Sequence, residues 1–130
     1  MEKLNLKCRK IKFLSKKNQM VVTVNSKHAK QYAFVLEEKK EVESYEVAKE
    51  LDMVVCQQID PIDIRKEYFS TEWTSDFVIH FVDGTTGIRE LADESSLFKR
   101  STIEKLEFSR RYWELLKIDN WKLVIVKEEK

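Results

Sequence analysis

The chain has 130 residues, of which 42% are hydrophobic and 36% charged, with a net charge of +1; this length buries roughly two-thirds of the unfolded surface in one core and excludes wholesale disorder. Two glycines, Gly84 and Gly87, cannot form a GxxxxGK or GxGxxG phosphate loop, and His28, His80, Cys8 and Cys56 are too few and too scattered for structural zinc. Unframed cysteines point to a reducing compartment, and no apolar run reaches the ~18 residues of a membrane span or resembles a signal peptide, so a cytoplasmic location without membrane association is expected.

The charge is uneven along the chain. The first thirty residues carry Lys3, Lys7, Arg9, Lys10, Lys12, Lys16, Lys17, Lys27 and Lys30 against Glu2 alone, a local balance of +8. Such an arm suits either phosphate binding on nucleic acid, where each lysine displaces counterions, or a solvated edge hairpin that resists aggregation. Within it, residues 9–14 (RKIKFL) and 19–24 (QMVVTV) read as two strands joined by a polar turn, which places Lys10, Lys12, Lys16 and Lys17 as candidate DNA contacts.

From Phe34 to Leu51 the spacing of Phe34, Val42, Tyr45, Ala48 and Leu51 predicts a helix, with Glu38 and Glu41 intruding on its apolar face. Val54–Gln57 and Ile62–Ile64 read as short strands around Pro61. Asp76 to Ala92 is a β-hairpin turning at Asp83-Gly84. Alternation sets Asp76, Val78 and His80 on one face of its first strand, and Ile88, Glu90 and Ala92 on one face of its second. Ser101-Thr-Ile-Glu104 reads as a capping box opening a helix to about Lys117, and Trp121–Lys127 as a final strand. The order predicts a single mixed α/β or α+β domain over residues 1–130, a central mixed sheet flanked by helices with an N-terminal basic hairpin over residues 1–30.

Asp76, Glu90 and one of Glu41 or Glu38 form a candidate hard-oxygen set for Mg²⁺ or Mn²⁺, which would polarise a phosphodiester and acidify an attacking water. His80 reads as a structural hydrogen-bonder, Tyr112, Trp113 and Leu116 as core, and Arg110 and Arg111 as a solvated helix face.

Thr74-Ser-Asp76-Phe-Val, Asp83-Gly84, Arg89-Glu90, Thr102-Ile-Glu-Lys-Leu106, Arg110-Arg-Tyr-Trp113 and Trp121-Lys-Leu-Val-Ile125, in that succession, resemble the catalytic domain of TnsA-type transposase endonucleases, within the restriction-endonuclease-like PD-(D/E)xK superfamily. The resemblance covers about residues 33–127, with the segment from Glu41 to Pro61 in register. It implies a restriction-endonuclease-like core, metal binding by Asp76, Glu90 and Glu41, DNA as substrate, a DDE transposase subunit as partner, and hydrolysis at transposon ends. One position departs: Ala92 stands where the lysine of the motif is expected, and a lost electrostatic stabiliser of that kind costs orders of magnitude in rate. A cation elsewhere, such as Arg89 or Lys99, an inactivating substitution, or a nuclease fold kept only for DNA or partner binding would each account for it. Another nuclease of the superfamily, of phage or repair origin, is a further alternative.

Overall fold

The computed structural model describes residues 1–4 and 10–127, so Lys7, Cys8 and Arg9 of the basic segment lie outside the described residues. The chain is a mixed α+β fold. Its strands are β1 (Glu2–Lys3), β2 (Ile11–Ser15), β3 (Met20–Val24), β4 (Val42–Glu50), β5 (Trp73–Phe81), β6 (Thr86–Asp93) and β7 (Trp121–Val126). Its helices are α1 (Lys27–Glu38), α2 (Met53–Cys56) and α3 (Arg100–Leu115).

β5 is the hub of a five-stranded sheet. It pairs antiparallel with β4 and β6, and β6 continues in parallel to β7. Thr74 pairs with both Glu50 of β4 and Glu2 of β1, so β1 lies on the flank of β5 that β6 occupies further along. The β5–β6 ladder runs from His80↔Thr86 to Phe77↔Arg89 and then opens, and β1 enters the fork. The two sheet faces pack against different layers. Phe77 and Ile79 meet α1 and the β2–β3 hairpin through Ala33, Leu36 and Val22, whereas Val78 and Ile88 meet Phe108, Tyr112 and Trp113 of α3. Among the described residues no helix is long and apolar enough to cross a membrane.

The basic hairpin and the hairpin at residues 76–92 form as expected, as do the strand near Trp121 and the core packing of Tyr112 and Trp113. The expected helix over 34–51 does not. The helix lies earlier, opened by Ser26, whose side chain accepts from the Ala29 amide at 3.0 Å, and it buries Ala29, Ala33 and Leu36. Residues 42–50 are strand instead. A register shift between Val42 and Ser44 brings Val42 and Tyr45, three apart, onto one buried face, and the bulge thereby counterfeits a helical period.

The two short strands around Pro61 are also corrected. Val54–Cys56 belongs to α2, capped by Asp52, which accepts from the Val54 amide at 2.8 Å. Residues 62–64 form a turn closed by the Ile64 amide on the Pro61 carbonyl. The capping box at Ser101 is absent: α3 begins one residue before it, with no side-chain cap. Glu104 instead takes the Arg65 amide at 2.8 Å and its guanidinium at 2.6 and 3.0 Å, which ties the loop after Pro61 to α3. Leu116 is exposed, and Arg111 is no solvated residue, since it donates to the Asp60 and Ile62 carbonyls.

Candidate functional site

The fork between β5 and β6 creates the most distinctive polar arrangement. Cross-strand alternation alone would carry Ser75 away from the α3 face, yet Ser75 receives the Trp113 indole N–H at 2.8 Å, so β5 changes face at Asp76. Ala48, which the register sets opposite Asp76 on β4, has φ 47°, a left-handed conformation that absorbs the same change on the neighbouring strand. Asp76 and Glu90 then meet by clasping each other's strands. The Asp76 amide donates to Glu90 Oε1 at 2.8 Å, and the Leu91 amide donates to Asp76 Oδ2 at 2.7 Å. The two acids converge as expected, but through this change of face and not through unbroken alternation.

Glu90 is fully buried, and both of its oxygens are engaged. Oε2 accepts from Ser75 Oγ at 2.7 Å and from Ser109 Oγ on α3; Ser109 in turn receives the Trp121 indole N–H at 3.0 Å. The Met1 ammonium lies between the two acids, 2.9 Å from Asp76 Oδ2 and 3.2 Å from Glu90 Oε1. Burial alone would lower the ammonium pKa, but the Glu90 and Asp76 carboxylates outweigh it and raise it from 8.0 to about 10. Burial pushes the Glu90 carboxyl above the usual range, against the pull of the ammonium.

Asp76, with its side chain 14% exposed, opens onto a cleft of about 490 Å³. Ala92 of β6, Ser26, His28 and Ala29 at the start of α1, Lys3 of β1 and Lys105 of α3 also line it. Of the α1 residues that line the cleft, Ala29 is buried and carries no donor, whereas His28 is half-buried and presents an imidazole.

Glu41 and Glu38 are not brought to the cleft. Glu38 ends α1 at its far terminus, and the Glu41 carbonyl accepts from the Val82 amide beyond the end of β5. Val82 is six residue steps from Asp76, about 20 Å at the usual strand rise. The reason is the displaced helix: α1 starts at the cleft and runs away from it. Arg89 lies on the opposite face from Glu90, and Lys99 is an exposed residue preceding α3; neither lines the cleft. Lys105 does, with its ammonium 5.8 Å from the Trp73 ring centroid. Sequence reasoning missed it, although it stands one turn before Ser109 on the helix face that meets Glu90.

As arranged, the pair offers a divalent cation few free oxygens: of the four, only Asp76 Oδ1 accepts no hydrogen bond among the described residues. Mg²⁺ needs free carboxylate oxygens in a near-octahedral shell, whereas Glu90 is saturated by donors and Asp76 Oδ2 is taken by the Leu91 amide and an ammonium. Among the described residues no three His, Cys, Asp or Glu side chains are grouped to hold a metal.

The candidate DNA contacts divide. Lys10, Lys12 and Lys16 are exposed, and Lys12 shares the outward face of the hairpin with Leu14, Val21 and Thr23. Lys17 is half-buried, and its ammonium donates to the Lys39 carbonyl at 2.8 Å and the Val42 carbonyl at 2.6 Å, which makes it a clamp between α1 and β4. His80 pairs with Glu46 at 3.0 Å, in keeping with a structural role.

Comparison with models of known protein families finds no match. Comparison with curated proteins likewise finds no significant similarity.

Proposed function

We propose that this domain binds duplex DNA through its phosphate backbone and does not itself hydrolyse it. In this reading a restriction-endonuclease-like layout is retained for binding and for docking a catalytic partner. The observation that carries the non-hydrolytic part is Glu90: a wholly buried carboxylate held by two serine hydroxyls and an amide is a structural anchor of the β5–β6 fork. Three carboxylates, Asp76, Asp93 and Glu2, line the cleft with Lys3 and Lys105, and Ala29 and Ala92 add neither a ligand nor a cation. The DNA part rests on Lys10, Lys12 and Lys16, exposed on the hairpin, with Lys3 and Lys105 lining the cleft. Their attraction for phosphate is independent of base sequence and falls with salt.

A second reading, the Mg²⁺-dependent TnsA-like endonuclease acting beside a DDE transposase, has one observation in its favour. Asp76 and Glu90 converge, and Lys105 reaches the same cleft. The two readings separate in one experiment, in which labelled duplex DNA is titrated by anisotropy at several salt concentrations and then incubated with Mn²⁺. Salt-sensitive binding of intact DNA supports the first reading. Cleavage that Asp76→Ala abolishes would replace it with the second.

A further inference from the structure

Arg89 carries a second feature that the cleft does not use. It sits on the α1 side of β6, only 9% exposed, in a pocket of about 280 Å³ at the opposite end of α1 from Asp76. Its Nη1 donates to the Ile88 carbonyl at 2.8 Å and to the Asn120 carbonyl and Oδ1, both at 3.1 Å. The Tyr32 hydroxyl is a further hydrogen-bond partner of the guanidinium, and Glu41, the acid that lines the same pocket, makes no ion pair with it, so among the described residues Arg89 has no carboxylate partner. A mostly buried guanidinium held only by neutral acceptors keeps an uncompensated charge, which an anion would neutralise.

The surroundings are built around that guanidinium. A side chain at Gly87 would place its Cβ 3.1 Å from Arg89 Nη1, 3.1 Å from Asn120 Nδ2 and 2.8 Å from a Phe81 ring carbon, so the bare backbone there makes the room. Tyr32, Lys39 and Lys122 line the pocket with Arg89, which gives three cations against the single carboxylate of Glu41. The Tyr32 hydroxyl, whose pKa is raised by burial, is drawn the other way by the adjacent Arg89 charge.

We propose that this pocket binds a phosphate group, received by the Arg89 guanidinium, which no carboxylate neutralises, and balanced by Lys39 and Lys122. The planar fork of a guanidinium offers two parallel N–H donors that match two phosphate oxygens, and the net charge of the lining favours a dianion over a carboxylate. The phosphate is either free inorganic phosphate or one from a DNA backbone. The site is independent of the Lys10, Lys12 and Lys16 surface and stands or falls separately from it.

The test is thermal unfolding and calorimetric titration of the full chain with inorganic phosphate at constant ionic strength, with acetate as the planar control. A saturable stabilisation by phosphate that acetate does not match is expected. Arg89→Met should weaken it at least about tenfold, the scale of a lost charge-assisted hydrogen bond. The double variant Lys39→Ala/Lys122→Ala, altering two exposed side chains, should weaken it severalfold and keeps the test decisive if Arg89→Met does not fold. Competition between phosphate and a short duplex assigns the ligand to the DNA backbone, and simultaneous binding assigns it to free phosphate. No saturable effect, an equal effect of acetate, or an effect unchanged in the lysine double variant overturns the site.

Discussion

Ser75 and Glu90 face each other across the opening of the β5–β6 fork, hydroxyl to carboxylate at 2.7 Å, in the buried interior. The serine is itself held by the Trp113 indole, so the carboxylate fixes the angle at which β5 leaves β6. Glu90→Ala would leave two serine hydroxyls and the Asp76 amide without their acceptor, while the Met1 ammonium keeps Asp76. A loss of about 3 kcal/mol is expected from these unpaired buried donors, measured by urea unfolding. Glu90→Gln, which keeps an acceptor oxygen, should cost less than half as much.

Ala92→Lys places an ammonium on the cleft wall beside Asp76. If Glu90 is a structural anchor, the variant remains without Mn²⁺-dependent nicking of supercoiled plasmid, because the acids still present no open set of oxygens. Nicking that appears in Ala92→Lys and vanishes in Ala92→Lys/Asp76→Ala would return the endonuclease reading.

Lys17 and Lys12 should behave in opposite ways. Lys17→Met removes the clamp on the Lys39 and Val42 carbonyls and is expected to cost about 1–2 kcal/mol, with little change in the salt dependence of DNA binding. Lys12→Ala should leave unfolding unchanged and flatten the slope of log K against log salt by about one unit. A slope unchanged by Lys10→Ala, Lys12→Ala and Lys16→Ala together would make the hairpin a solvated edge.

The hairpin is also docked by a carboxylate. Glu37 accepts from Ser15 Oγ at 2.6 Å, the Tyr45 hydroxyl at 2.6 Å and the Lys17 amide at 3.2 Å. Burial alone would raise its pKa, but these donors outweigh it and hold the carboxyl below its ordinary 4.5. A carboxylate whose pKa is lower folded than unfolded contributes stability that is fully present above pH 4.5 and lost as the pH falls through the folded value. Acid titration of the unfolding midpoint should therefore show a drop below pH 4.5 that Glu37→Gln reduces. Glu37→Ala should cost about 2 kcal/mol at neutral pH through the three lost hydrogen bonds.

The hairpin of residues 76–92 was legible because alternation and an Asp-Gly turn are local signals, whereas the meeting of Asp76 and Glu90 depends on a change of face at Asp76 that alternation does not contain. α1 was not legible, since two of its three buried residues are Ala29 and Ala33, which give little periodic contrast. The Val42–Ser44 bulge then supplied a false period just downstream, and with it a helix carboxylate that the fold places at the wrong end. Ser75 of β5, Ser109 of α3 and Met1, just before β1, join Glu90 only through tertiary packing, and no local pattern announces a donor that arrives from 19 residues away. Lys105 was within reach of helix spacing once Ser109 was known to face the acid.

The hydrogen bonds around Glu90 also give the interior an optical readout. Two indoles, Trp113 and Trp121, each donate to a serine that donates to the same carboxylate. Protonation or displacement of that one group alters the polarity sensed by both chromophores at once, whereas Trp73, whose indole N–H is bonded to the Tyr68 carbonyl, is outside the relay. Intrinsic emission thus reports the state of the fork directly, without a label, and a Trp73→Phe background would isolate the two indoles that do the reporting.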